Sequence, residues 1–130
     1  MTDDKNVLFP LNILVAEDAS DIRMLFHRLL KRYGATVVEA TDGADALNKN
    51  LASVDIVLMD LEMPVLDGYA AAPQMRAAGY QGPIVALTGH SVADAKSDRR
   101  KFNFDGYLQK PVSSENLVNM IRLHCPQKGD

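Results

Sequence analysis

Five short aliphatic runs, each followed by a stretch with helical character, constrain the fold of this chain more than any other feature. The runs are LNILVAED (11–18), ATVVEA (35–40), VDIVLMD (54–60), PIVALT (83–88) and FDGYLQK (104–110). After the first, Ile22, Leu25, Phe26, Leu29, Leu30 and Tyr33 recur at helical spacing. Ser20 is placed to cap that helix, and Gly34 to end it in a left-handed turn. TDGADALNKNL (41–51) reads as a shorter helix, SVADAKSDRRKF (91–102) as a polar fourth and SSENLVNMIRLHC (113–125) as a capped amphipathic fifth. The third, YAAAPQMRAAG (69–79), carries Pro73. Beyond the first turn a proline costs about 3 kcal/mol, so this helix is expected to start late or to kink. Strands that alternate with helices return parallel to one another, giving an α/β doubly wound sandwich with both sheet faces covered. Right-handed crossovers then place every strand's C-terminal end on one rim.

At 130 residues the chain is long enough for one sizeable core. Residues 1–9 and 126–130 read as tails around a domain of 10–125, with no internal repeat or linker. A net charge of −3 offers no basic field for nucleic acid or an anionic membrane. The basic run KSDRRK (96–101) reads as a solvated helix face, with an output surface as the alternative. The single cysteine, Cys125, cannot form an internal disulfide, which fits a reducing compartment. It reads as a semi-buried or surface thiol. No apolar run reaches the ~18–20 residues that span a bilayer, and MTDDKN is too acidic for a secretory signal. The expected location is cytoplasmic.

The chemistry sits at the strand ends. Asp18 closes the first run and Asp60 the third, and Glu17 precedes Asp18. In a sheet of order 2-1-3-4-5 the first and third strands are neighbours, so the three acids share one cleft at the topological switch point. Two carboxylates ~4 Å apart repel by about 4 kcal/mol at an effective dielectric of about 20. A positive partner is needed. Mg²⁺ suits a site built from carboxylates, a backbone carbonyl and waters, and Lys110, closing the fifth run, supplies a fixed ammonium. Thr88, closing the fourth, adds a hydroxyl. A cation, an ammonium and a hydroxyl converging on one aspartate would stabilise a phosphoryl group on it. Taken singly, each residue has a plainer reading: a helix-start acid pair, a loop aspartate, ordinary strand ends. Their conjunction on one rim sets those readings aside.

The stretches ILVAEDASDIRMLFHRLL, VDIVLMDLEMPVLDG, PIVALTGH and DGYLQKPV closely resemble the receiver domain of two-component response regulators over about residues 11–124. The resemblance implies a flavodoxin-like fold with strand order 2-1-3-4-5; that order comes with the family and not from the spacing. It further implies Asp60 as phosphoacceptor, and Glu17 and Asp18 as the acidic pair, with Asp18 a direct Mg²⁺ ligand. The Glu62 backbone carbonyl would join Asp60 in the metal shell. Thr88 and Lys110 would contact the phosphoryl oxygens, Thr88 and Tyr107 would form the switch, and Lys110–Pro111 would be cis. Gly89 stands where the family often has alanine, leaving the phosphoryl as open or more so. Glu62 and His90 occupy positions that tune phosphoryl hydrolysis in this family, with a plain loop histidine as the simpler account of His90.

The implied function is a switch that takes a phosphoryl group from a histidine kinase or histidine phosphotransfer domain and repacks the face of helix four, strand five and helix five. The implied activity is a signalling step with at most slow self-dephosphorylation, in a monomer or weak phosphorylation-dependent dimer. The chain ends soon after its fifth helix, so a stand-alone regulator or a receiver from a longer chain is expected. The style of its motifs resembles receivers of hybrid sensor histidine kinases. Two other classes share features. A flavin carrier needs a Ser/Thr/Gly-rich loop where this chain has AEDASD. An Mg²⁺-dependent aspartyl-nucleophile phosphatase normally has a second aspartate where Glu62 stands.

Overall fold

The computed structural model describes residues 8, 11–98, 102 and 104–125. Five strands alternate with five helices: β1 (Asn12–Ala16), α1 (Ser20–Arg32), β2 (Thr36–Ala40), α2 (Gly43–Leu47), β3 (Ile56–Asp60), α3 (Gly68–Ala77), β4 (Ile84–Thr88), α4 (Val92–Ser97), β5 (Gly106–Gln109) and α5 (Ser114–His124). A single 3₁₀ turn, Leu51–Ser53, precedes β3. The sheet is parallel in the order β2-β1-β3-β4-β5, the order the resemblance implied.

The pleat sorts the strand residues into two cores. Leu14, Val57, Met59, Ile84 and Ala86 face one side, against Ala46 of α2, Ala71 and Met75 of α3 and Ala95 of α4. Ile13, Val15, Leu58, Val85 and Leu87 face the other, against Phe26 and Leu30 of α1 and Leu117 and Ile121 of α5. Every residue of β3 and β4 is buried, as continuous apolar runs in a doubly covered parallel sheet must be. Leu8, which the sequence places in the N-terminal tail, is fully buried in the second core, and its amide donates to the Tyr33 carbonyl at 2.7 Å.

Several local expectations shift. Ser20 is the first residue of α1 and not its cap; Ala19 holds that position with no side-chain bond. Gly34 does end the region in the left-handed conformation, with φ 92° and its amide on the Lys31 carbonyl at 3.0 Å. Helix α3 neither starts late nor breaks. Asp67 caps it, Oδ1 accepting from the Ala70 amide at 2.9 Å, and the helix runs through Pro73 to Ala77. Helix α4 ends at Ser97, where Asp98 is extended at φ −61°, ψ 140°. The basic residues 99–101 of the expected longer helix lie outside the described residues. Among the described residues no helix is long and apolar enough to cross a membrane.

Candidate functional site

Three polar residues are buried among the described ones, Glu17, Asp60 and Thr88, at 1%, 3% and 2% exposure, and all three lie at strand C-termini. The β1–β3 pairing puts Ala16 opposite Met59, so Glu17 and Asp18 emerge from the sheet beside Asp60. One oxygen from each of Glu17, Asp18 and Asp60 lies within 4.8 Å of the other two. From β5, Lys110 brings its Nζ to 2.8 Å from Glu17 Oε1 and 3.1 Å from Asp60 Oδ2. Its amide donates to the Thr88 carbonyl at 2.7 Å, and the Lys110–Pro111 bond is cis, as the resemblance implied.

The turns are tied as tightly as the side chains. Arg23 of α1 donates to the Glu17 carbonyl at 2.7 Å, and Glu17 Oε2 accepts from the Ala19 amide at 3.2 Å. Asp60 Oδ1 accepts from the Glu62 amide at 3.1 Å, so the loop after β3 folds back on the strand end. That bond places the Glu62 backbone beside Asp60. Gly68 makes this approach possible, because a Cβ there would lie 2.6 Å from the Asp60 carbonyl oxygen. Around Gly89, by contrast, a Cβ would meet nothing within 4 Å.

Burial raises the Glu17 carboxyl above its ordinary value, and the neighbouring Asp60 charge adds to this against the opposing pull of Lys110. Burial alone would lower Lys110; the Glu17 and Asp60 carboxylates outweigh it and hold the ammonium above its usual range. One ammonium thus faces three carboxylates. Glu17 Oε1, fully buried, has the Lys110 ammonium at 2.8 Å as its partner. An all-oxygen donor set with more carboxylates than cations fits a hard divalent cation that keeps part of its water.

Thr88 is turned into its own loop: its hydroxyl accepts from the His90 amide at 3.0 Å and donates to the His90 carbonyl at 3.2 Å. The exposed His90 and Glu62 side chains meet across the mouth of the site, Nε2 to Oε2 at 2.9 Å. A cavity of about 230 Å³ adjoins Thr88, with Leu61, Tyr69, His90 and Ala95 among its walls. Tyr107 is half-buried and packs instead against Phe104, ring centres 5.7 Å apart. The structure therefore assembles Glu17, Asp18, Asp60 and Lys110 into one cluster, places Thr88 on the adjoining strand end and leaves Tyr107 apart. Sequence reasoning missed Arg23 and the His90–Glu62 bridge. Arg23 has a faint signal, a cation one turn into the helix that follows the acids.

A model of the response regulator receiver domain matches residues 13–122. The chain belongs to that family. This receiver domain is 35% identical to protein PilG of Pseudomonas aeruginosa over 120 residues, 89% of this chain and 88% of that one. Other curated relatives are longer, and the chain spans 60% of one and 13% of another. Among solved structures it resembles the receiver domain of a P. aeruginosa sensor histidine kinase with magnesium coordinated in its active-site cleft, at 28% identity and TM-score 0.80, covering 88% of this chain and 96% of that one. It also resembles the complex of the Saccharomyces cerevisiae phosphotransfer protein Ypd1 with the Ssk1 receiver domain, at 26% identity and TM-score 0.76, covering 88% of each chain. The chain is accordingly a receiver domain of two-component signalling with the flavodoxin-like fold. Domains of this kind act as phosphoacceptors rather than as catalysts in their own right, and work with histidine kinases or phosphotransfer proteins.

Proposed function

We propose that Asp60 is the phosphoacceptor. A carboxylate oxygen of Asp60 bonds to the phosphorus of a partner's phosphohistidine as the phosphorus–nitrogen bond breaks, giving an acyl phosphate. The observation behind this is Lys110, whose ammonium lies within 3.1 Å of Asp60 and 2.8 Å of Glu17 beside the acidic trio. Lys110 pairs with the phosphoryl oxygens as charge gathers on them, and Thr88 leaves the His90 backbone to bond one of them. Glu17, Asp18 and Asp60, with the Glu62 carbonyl, would hold Mg²⁺, and the bound ion would supply charge neutralisation at the transferring group. Tyr107 then turns inward and the face of α4, β5 and α5 repacks. A hundredfold change in the ratio of states needs only about 2.7 kcal/mol.

Self-dephosphorylation is slow in this reading. A phosphatase is set aside because Glu62 stands where that class normally has its second aspartate. The partner is a histidine kinase or phosphotransfer domain, reached in the cytoplasm. The net charge of −3 argues against direct nucleic-acid binding. The domain acts as a monomer or weak phosphorylation-dependent dimer, either by itself or as the receiver of a hybrid sensor kinase, the type of protein one of its structural neighbours comes from. The test is transfer from a radiolabelled phosphohistidine protein with Mg²⁺ present. Label that moves to wild type, is released by alkali as an acyl phosphate is, and fails to reach Asp60→Asn supports the proposal. Label reaching Asp60→Asn at the wild-type rate contradicts it.

A further inference from the structure

Helix α4 has six residues, too few to persist by itself, and Ala95 is its buried residue. Two side-chain contacts fasten it. From α3, the buried Tyr69 hydroxyl donates to the Ala95 carbonyl at 3.1 Å. A continuing helix would give that carbonyl to the amide four residues on; here the Asp98 amide reaches it at 3.4 Å and Tyr69 supplies the shorter bond. The next residue, Lys96, holds its Nζ 5.4 Å from the centre of the Tyr107 ring, within cation–π range. Tyr107 also packs on the first core, with an edge contact to Phe104 at 5.7 Å between ring centres and a long hydroxyl bond to the Phe102 carbonyl at 3.4 Å, so Lys96 adds one contact among several. Lys96 forms no ion pair among the described residues, so the ring is the partner the structure shows for its charge.

We propose that Lys96 is a positioning residue that holds Tyr107 in its resting orientation, with Tyr69 fixing where Lys96 sits. The inference rests on Asp60 as phosphoacceptor and Tyr107 as switch, and adds what sets the threshold between them. An ammonium over the ring is available only while Tyr107 faces α4. Once the ring turns toward Thr88, Lys96 returns to water. Lys96 therefore contributes to one state alone, and its whole contribution appears in the equilibrium. Pinning Ala95 to α3 keeps the neighbouring Lys96 over β5, which couples Tyr69 to the switch without contact between Tyr69 and Tyr107.

The test is a titration of the full chain with beryllofluoride, a phosphoryl mimic, at saturating Mg²⁺, followed by amide NMR. Removing an exposed cation–π contact lowers the midpoint for Lys96→Gln by about 2- to 5-fold. Lys96→Arg keeps the wild-type midpoint, because a guanidinium also stacks on the ring. Lys49→Gln, with the same loss of charge on the loop after α2, leaves the midpoint unchanged. Tyr69→Phe shifts it in the direction of Lys96→Gln, and the double variant shifts it less than the two changes summed. An unchanged midpoint in Lys96→Gln, or an equal shift in Lys49→Gln, overturns the inference and leaves the phosphoacceptor reading intact. A wild type with no response to beryllofluoride overturns both.

Discussion

Lys110 is the residue on which the resting site turns, because among the described residues it is the cation that pairs with the buried carboxylates of Glu17 and Asp60. Replacing it with methionine leaves two like charges facing each other. Its own partial exposure lets water soften the loss, so Lys110→Met is expected to lower stability by about 1–3 kcal/mol in Mg²⁺-free urea denaturation at pH 7. Stability equal to wild type would show that the ion pairs do not support the fold. A second residue-scale test concerns Cys125, whose thiol burial pushes up from 9.0 to about 11. At pH 8 its thiolate fraction falls roughly a hundredfold, so reaction with a disulfide reagent should be slower by a similar factor until the protein is unfolded. At this scale the site was legible because each functional group closes its own aliphatic run, a pattern visible without a third dimension. Arg23 on the Glu17 carbonyl and Tyr69 on the Ala95 carbonyl were not legible, since nothing in local spacing aims an arginine or a tyrosine at a particular backbone oxygen.

Among elements, α3 combines a requirement with a concession. Its first residue, Gly68, meets the Asp60 backbone so closely that Gly68→Ala must displace the strand end. The expected cost is about 1–3 kcal/mol in urea denaturation, together with slower phosphoryl acceptance. Pro73 is exposed and has no amide hydrogen for the one ladder bond its position in α3 would give. Pro73→Ala restores that bond and is expected to raise stability by about 1–2 kcal/mol in the same assay, after allowance for the looser unfolded chain. A fall in stability would mean that proline's stiffness outweighs the missing bond. Strands and long helices were readable because period and length agree with burial, as in β3 and at Phe26 and Leu30 of α1, although Leu25, on the same helical spacing, is 64% exposed. The end of α4 was not readable: a polar sequence continues past Ser97, and nothing in its spacing marks the extended backbone that Asp98 adopts. The late start expected of α3 is absent because the Asp67 cap fixes the first turn ahead of the proline.

Across the whole molecule, the acidic rim links stability to pH and to metal. Glu17 titrates above its ordinary 4.5 in the fold, so its contribution is fully present below that pH and is lost as pH rises through its folded value. Lys110 loses its contribution in the same direction, but only at high pH: its raised value keeps that contribution intact below 10.5, so it is constant near neutrality. The ionised rim therefore burdens the fold at pH 7, and a bound divalent cation relieves it. Mg²⁺ is expected to raise the melting temperature at pH 7 and much less at pH 4, where protons compete for the same oxygens. Equal gains at both pH values would place the metal elsewhere.

The central claim is that Asp60 carries the phosphoryl group, and intact-mass spectrometry tests it most directly. Wild type and Asp60→Asn are incubated with a small-molecule phosphodonor, with and without Mg²⁺, so that no partner's preference enters. A gain of one phosphoryl, ~80 Da, is expected in wild type with Mg²⁺ only. The same gain in Asp60→Asn would contradict it.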